Sequence, residues 1–395
     1  MKKICLSVLG LYIGMLAAFS QDTSQYKSRK LTFEEANFIS SYYNQNGNNS
    51  AVTGGIGTEK LTDLSNSFEI KLNMWDKKER KHTFDFELGI DHYTSASSDK
   101  IDPKTISSAS HADTRLYPSL NWSVENGKKG TTFGAGLSVS HEFDYTSFGM
   151  NVLFAKKTNN KSGEFSVKLQ AYLDKLKLIQ PVELRSYNNT YGENDYPTAS
   201  RNSFSTSLSY SQIINQRLQV IFLADVIYQH GYLGLPFHRI YFKDGTESVE
   251  TLPADRLKVP LGVRANYFLG DNIILRGYYR YYRDSWGLEA HTANIETSVK
   301  VTPFLSVTPF YRYYIQSAVK YFAPYEMHTS AEEYYTSNYD LSKFTSGFFG
   351  AGFRLIPPKG VFGIQHFNML ELRYGHYQKN NGMQSNIVSL NIRIK

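Results

Sequence analysis

The chain of 395 residues has one cysteine, Cys5. It lies inside MKKICLSVLGLYIGMLAAFS at 1–20, which has the three parts of an export leader in order. Lys2 and Lys3 are basic, Ile4 to Ala18 is apolar, and Ala18 and Ser20 are small residues before Gln21. Cleavage there removes the thiol, which excludes disulfides, thiolate metal sites and cysteine nucleophiles together. Beyond the leader no run of 18 apolar residues occurs, so spanning helices are excluded as well. Charge of one sign is also scarce: the net +7 becomes +5 once Lys2 and Lys3 are gone, too little to argue for nucleic acid as a partner.

Catalytic signatures are equally thin. HEFD at 141–144 is not H-E-x-x-H, and extended chain turns His141 and Glu142 to opposite faces. Ser140 and His141 alternate in the same way, and no G-x-S-x-G occurs, so a lipase-like elbow has no support and a rim-site hydrolase stands third, behind the conduit and anchor readings given below. His366 and His376 share a predicted strand but stand about 30 Å apart on it. The glycine-rich SYYNQNGNNSAVTGGIGTEKLTD at 41–63 fails as a phosphate cradle. Counted from Gly54, Glu59 occupies the second glycine position, Leu61 replaces Ser/Thr, and no helical pattern follows. No cofactor or metal site is indicated, and the chain is not expected to be an enzyme.

Aromatics, by contrast, make up 15% of the chain, with 30 Tyr. Apolar residues recur at every second position over long stretches. Phe84, Phe86, Leu88 and Ile90 alternate with Asp85, Glu87, Gly89 and Asp91; Leu218, Val220, Phe222, Ala224 and Val226 repeat the pattern, and Val388, Leu390, Ile392 and Ile394 close it. Period two means strands with one apolar and one polar face. A short helical candidate lies at 32–38.

The connections alternate in kind. Short turn-forming segments fall at 76–80, 126–130, 159–163, 215–217, 270–272 and 357–360. Between them come long polar ones at 44–65, 94–114, 174–202, 230–258 and 316–344, and three short ones near 144–147, 284–289 and 377–384. Short turns on one side and longer loops on the other mark an outer-membrane barrel. The reading is therefore all-β: a transmembrane antiparallel up-and-down barrel of about 16 strands, with 14 as the alternative. Strands are placed near 36–43, 66–75, 81–93, 115–125, 131–143, 148–157, 164–173, 203–213, 217–229, 259–269, 272–283, 290–300, 303–315, 345–356, 364–376 and 385–394. The strand at 36–43 has the weakest apolar face. The implied organisation is a leader at 1–20, a periplasmic segment at 21–35 and the barrel at 36–395, in the cell outer membrane. Tyr278, Tyr279, Tyr281, Tyr282, Trp286, Tyr311, Tyr313, Tyr314, Tyr321, Phe322 and Tyr325 are expected in aromatic girdles at strand ends.

The glycine-rich segment, above all AVTGGIGTEKLTD at 51–63, followed by alternating strands to the end, resembles a family of exported proteins from Bacteroidetes and related Gram-negative bacteria, catalogued as a domain of unknown function. The resemblance implies an outer-membrane barrel with no agreed catalytic residues. Similar proteins are often encoded beside a small lipoprotein, a thioredoxin-like protein and a flavinylating enzyme, which implies a periplasmic lipoprotein or thioredoxin-like partner in an envelope redox system. Outer-membrane lipid and the barrel-assembly machinery are further implied partners. The terminal Lys395 departs from the aromatic usual at the end of such barrels.

Taking the polar phase as inward, the early strands offer Glu69, Asp85, Glu87 and Asp91. The late strands offer Arg264, Arg276, Arg280, Arg312, Arg373 and Arg393, with Glu371 beside them. These are the candidate lumen-lining residues. Either they cross-link the interior by ion pairs, because buried charges are normally paired, or they form acidic and basic walls of a water-filled pore for small polar solutes. The first alternative makes the barrel a plugged anchor for a periplasmic partner.

Overall fold

The computed structural model describes residues 30–94, 112–185 and 196–395. The leader at 1–20, much of 21–35, and parts of the loops at 94–114 and 174–202 lie outside the described residues. Sixteen antiparallel strands form one closed barrel. The first eight are β1 (Thr32–Asn46), β2 (Leu61–Trp75), β3 (Lys81–Thr94), β4 (Ala112–Asn126), β5 (Thr131–His141), β6 (Tyr145–Lys157), β7 (Gly163–Lys177) and β8 (Thr198–Asn215). After β9 (Leu218–Gly231) comes a small separate hairpin, β10 (Arg239–Tyr241) and β11 (Glu247–Val249), which alternation did not reveal. The barrel resumes with β12 (Asp255–Leu269), β13 (Ile273–Asp284), β14 (Glu289–Lys300), β15 (Leu305–Gln316), β16 (Phe344–Leu355), β17 (Phe367–Lys379) and β18 (Gln384–Ile394).

Each barrel strand pairs with its neighbour in the chain, β9 pairs with β12, and β1 closes the ring on β18 from Ala36↔Ile394 to Asn46↔Gln384. The helical candidate at 32–38 is overturned: it is the start of β1, paired with β2 on its other side. A local helical pattern yields here because two neighbouring strand edges would otherwise be left without partners. The barrel therefore begins at Thr32, inside the segment expected to be periplasmic.

Most strands extend past their expected bounds at the long-loop end; β8 runs 18 residues. At the other end the turns are tight and locally encoded. The Asp76 carboxylate accepts from the Lys78 and Arg80 amides at 2.8 and 3.0 Å, and Glu79 takes φ +57°. Asn215 does the same for the amides of Arg217 and Leu218. Asn and Asp favour such turns because the side-chain oxygen substitutes for a backbone acceptor.

The apolar phase of each strand points outward. Phe86, Leu120, Leu137, Leu169, Phe222, Leu261, Ile295, Phe353 and Leu372 are all exposed around the barrel. An apolar girdle of that extent is stable against hydrocarbon and not against water. Tyr279, Tyr311 and Tyr313 stand on this outer face as a girdle requires. Tyr278, Tyr282 and Tyr314 do not: by register they take the opposite phase. Trp286, Tyr321 and Phe322 pack instead in a buried cluster with Leu288, Ala290 and Val319 in the outer loops. Proximity to a strand end was read as membrane contact, whereas these rings fold the loops.

The topology is checked by single-cysteine labelling, for which Cys5→Ser supplies a cysteine-free background. Ala331→Cys, in the exposed loop after β15, is expected to react with an impermeant maleimide on intact cells. Gly127→Cys, at a turn with open space around its Cβ, is expected to react only after the outer membrane is breached. The reverse result would invert the barrel.

Candidate functional site: the inner wall and the loops across its outer mouth

Polar residues of the alternate phase turn inward, and one contact proves it. Arg373 on β17 bonds Glu296 on β14 at 3.0 Å, although β15 and β16 lie between them in the sheet. Only the concave side permits such a chord. Glu296 also holds Arg276 at 2.6 Å, so one carboxylate serves two guanidinium groups. Arg373 continues to Glu371 at 3.7 Å, and Glu371 to Arg354 at 2.7 Å. The five charges form a rail along four strands, and the Arg373 guanidinium also lies over Phe310.

Arg264 lies over Tyr278 and Arg312 over Phe348, each a cation–π contact. Arg280 shares their phase, opposite Gly262 and Thr292. Among the described residues none of these three is ion-paired. In the cross-linked alternative Asp85, Glu87 or Asp91 would hold Arg276 and Arg280, and among the described residues they do not. Glu296, overlooked although it stands in the polar phase of 290–300, neutralises Arg276 from the adjacent strand.

Glu69 stands on β2 and Asp85, Glu87 and Asp91 on β3, with Glu69 directly opposite Glu87. Hydrogen bonds relieve that like-charge pair: Asn37 donates to Glu69 at 3.0 Å and Ser67 to Glu87 at 2.9 Å. Lys71 lies 3.3 Å from Glu35 and 3.8 Å from Asp85. Asp91 accepts from Ser65 and Tyr117 and faces Arg115. Arg393 does not belong to the basic side. Closure of β18 on β1 sets it against Glu35 at 3.7 Å and Asn37 at 3.2 Å, in the acidic region.

Sixteen strands about 4.8 Å apart and tilted by about 40° enclose a ring roughly 30 Å across. Its outer mouth is spanned by loops. The β1–β2 and β9–β12 connections are separated by six strands on either side, so they are diametrically opposed. Yet Arg239 from the second donates to the Val52 carbonyl of the first at 3.0 Å and to Glu183 of the β7–β8 connection at 2.5 Å. Gly54 and Gly55, at φ +79° and +89°, are where the glycine-rich segment meets its partners. A Cβ on Gly55 would stand 2.6 Å from the Ser337 carbonyl, and one on Gly54 2.7 Å from the Tyr241 ring. The segment is neither a phosphate cradle nor an idle loop: Gly54 allows close approach of the β9–β12 loop from across the barrel and Gly55 that of the β15–β16 loop. Isolated bridges join Phe242 to His328 and Thr251 to Tyr335, tying in the β15–β16 connection.

At the centre of this cap two titratable groups are buried. Glu250 accepts from the Leu235 amide at 2.7 Å and the Thr336 hydroxyl at 2.5 Å, yet burial pushes its carboxyl up to about 7. Burial pushes His238, whose Nδ1 lies 4.0 Å from Glu250, down to about 3. Burial also raises Glu59 and Asp144 to about 7, helped by Asp340 and by Glu142 respectively.

The signs set a stability window for the cap. Glu250 holds a proton in the closed loops that opened loops release above 4.5, so its contribution is lost as pH rises from 4.5 towards 7. Neutral His238 acts oppositely: opened loops take up a proton below 6.5, so stability is lost as pH falls from 6.5 towards 3. The carboxyl effect is on the order of 3 kcal/mol at most, at about 1.4 kcal/mol per unit. Trp286 emission, followed during melting with Trp75 and Trp122 replaced by Phe, is expected to show greatest loop stability at mildly acid pH. Glu250→Gln should move that optimum up and His238→Gln should move it down. An optimum unmoved by both would show that neither group titrates with loop opening.

Among curated proteins none matches the chain in sequence. Solved structures of similar outline include an outer-membrane protein, a BenF-like porin and a ferric enterobactin receptor. The outer-membrane protein is OmpTΔL8, a loop L8 deletion mutant of OmpT from Vibrio cholerae, 8% identical over 93% of this chain and 100% of that one, with a TM-score of 0.48. Pseudomonas aeruginosa OccK9 is 8% identical over 92% and 98%, with a TM-score of 0.45. A ferric enterobactin receptor mutant from the same organism is 11% identical over 88% of this chain, with a TM-score of 0.46; the chain spans 54% of that receptor's length. The closed barrel and its exposed apolar band place the protein in the outer membrane. A family profile described as "Protein of unknown function (DUF3570)" matches residues 78–388, so the AVTGGIGTEKLTD segment at 51–63 lies outside the match and carries none of it. On that match the chain is a member of the DUF3570 family, and its barrel is an outer-membrane barrel.

Proposed function

We propose that the barrel is a non-enzymatic conduit for small polar solutes, restricted at its outer mouth by the interlocked loops. The observation that carries this reading is the solvation of the inward charges. Arg276 and Arg373 keep 38% and 35% of their side-chain surface exposed while pointing into the barrel. A ring roughly 30 Å across is wider than opposing side chains fill, and the space between them is water. The acidic residues of β2 and β3 stand across the strand order from Arg264, Arg276 and Arg280 on β12 and β13. Opposed walls of unlike charge make a transverse field that orients polar solutes and disfavours apolar ones.

The loops across the mouth favour a second reading, a closed barrel that anchors a periplasmic protein. Single-channel recording in planar bilayers separates the two. A conduit is expected to give small ohmic steps that grow when Arg239→Ala releases the β9–β12 loop. Arg264→Gln, Arg280→Gln and Arg312→Gln together should reduce anion preference at low salt. The difference should vanish near 1 M, where the Debye length is about 3 Å. Silent bilayers with both the native protein and Arg239→Ala would decide for the anchor.

A further inference from the structure

Five histidines occupy one position in the architecture. His92 on β3, His141 on β5, His230 on β9, His291 on β14 and His376 on β17 all fall in the outward phase, in line with exposed apolar residues such as Ile90, Val139, Tyr228, Ile295 and Tyr374. Each stands at the outer end of its strand. Counted from the periplasmic end the offsets are 11 (Lys81 to His92), 10 (Thr131 to His141), 12 (Leu218 to His230), 9 (Lys300 to His291) and 9 (Phe367 to His376). At about 3.3 Å per residue and a tilt of about 40°, all five lie roughly 23–30 Å above that end. This is the outer edge of an apolar band about 25 Å tall. The five strands are distributed around the whole ring, so the imidazoles form a belt and not a cluster.

The rings are held alike. In every case Nδ1 is the bonded nitrogen: to the Thr114 hydroxyl at 2.9 Å, the Thr146 hydroxyl at 2.8 Å, the Asp255 carboxylate at 2.8 Å, the Tyr279 hydroxyl at 2.7 Å and Asn386 Oδ1 at 2.9 Å. Four of the histidines are exposed and His376 is half-buried. Asp255 and Asn386 Oδ1 are acceptors, so Nδ1 of His230 and His376 carries the hydrogen. A proton taken up then goes to Nε2 and makes it a charged donor. The same two acceptors also receive the girdle hydroxyls of Tyr228 and Tyr374, which couples the histidines to the aromatic ring of the interface.

We propose that this belt binds the phosphate groups of lipid in the outer leaflet of the membrane. Imidazole is the side chain whose charge changes between pH 5 and 8, and cations at the headgroup level attract anionic lipid. Two fixed cations share the level. Lys175 follows His141 and Thr146 in register across β5, β6 and β7. Arg283 lies two residues beyond Tyr281, the partner of His291 in register. The opposing charges are Asp255 on His230, Glu289, which pairs with Arg283 at 3.4 Å, Asp63 beside His92, and Asp113 beside His92 and His141, four against five imidazoles, Lys175 and Arg283. The remaining partners, Thr114, Thr146, Tyr279 and Asn386, are uncharged, so protonation leaves a net positive belt.

The test is native mass spectrometry of the barrel released from mixed micelles containing either bisphosphorylated lipid A or its dephosphorylated form. The native protein is expected to retain the phosphorylated lipid at least about tenfold better at pH 6. That preference should fall several-fold at pH 8. The variant with His92, His141, His230, His291 and His376 all changed to Asn should lose it at both pH values, while keeping the heat-modifiable gel mobility of a closed barrel. Millimolar inorganic phosphate should compete only weakly, because a free anion lacks the acyl chains that seat against the band. Equal retention of the two lipids by the native protein would overturn the proposal, whether or not the variant folds. So would an undiminished preference in a folded variant.

Discussion

Everything in this molecule depends on one constraint: within hydrocarbon every backbone N–H and C=O must find a partner in the same chain. Strands meet it only if the sheet has no edge. The pairing of β1 with β18 removes the last two edges, and it does so with strands from opposite ends of the sequence. Closure also fixes which charges meet. Arg393 near the C-terminus becomes the neighbour of Glu35 near the start of the barrel, a contact between residues more than three hundred positions apart.

Once the ring is closed, the two-residue period sorts side chains by solvent. The outer set is apolar until the strands leave the bilayer, then turns to tyrosine and histidine. The inner set is polar, and its charged members answer to a different rule, since a charge in a confined space needs a partner or water. Both occur here. Glu296 ties two arginines into a rail, whereas Arg264 and Arg312 rest on aromatic faces. Paired charges stiffen the wall, and those without a carboxylate shape the field inside it.

The loops at the outer mouth obey neither pattern. They are irregular backbone in a place where neighbouring loops come from opposite sides of the ring. Their order rests on specific contacts: Arg239 on a backbone carbonyl, glycines that let one loop lie on another, and a buried carboxyl with two donors. Burial of Glu250 and His238 makes the cap sensitive to protons. The structure thus joins a barrel held by repetitive pairing to a lid held by a few particular groups.

How far the sequence alone carries follows from the range of each interaction. Strand pairing between chain neighbours is local, and alternation such as that of Phe84, Phe86, Leu88 and Ile90 or of Leu218 to Val226, with the turn signals between, was enough to place sixteen strands. The inward phase of Glu69, Asp85, Arg276 and Arg373 was legible for the same reason. The partners of those charges were not. Arg276 chooses Glu296 from the next strand, and Arg373 reaches the same carboxylate by a chord across the interior, which depends on curvature that no periodicity encodes. The helical appearance of 32–38 was a local preference overruled by two strand edges needing partners. The glycines at 54 and 55 announced freedom of the backbone. What that freedom serves, contact of Gly54 with the diametrically opposed β9–β12 loop and of Gly55 with the β15–β16 loop, was decided only when the ring closed.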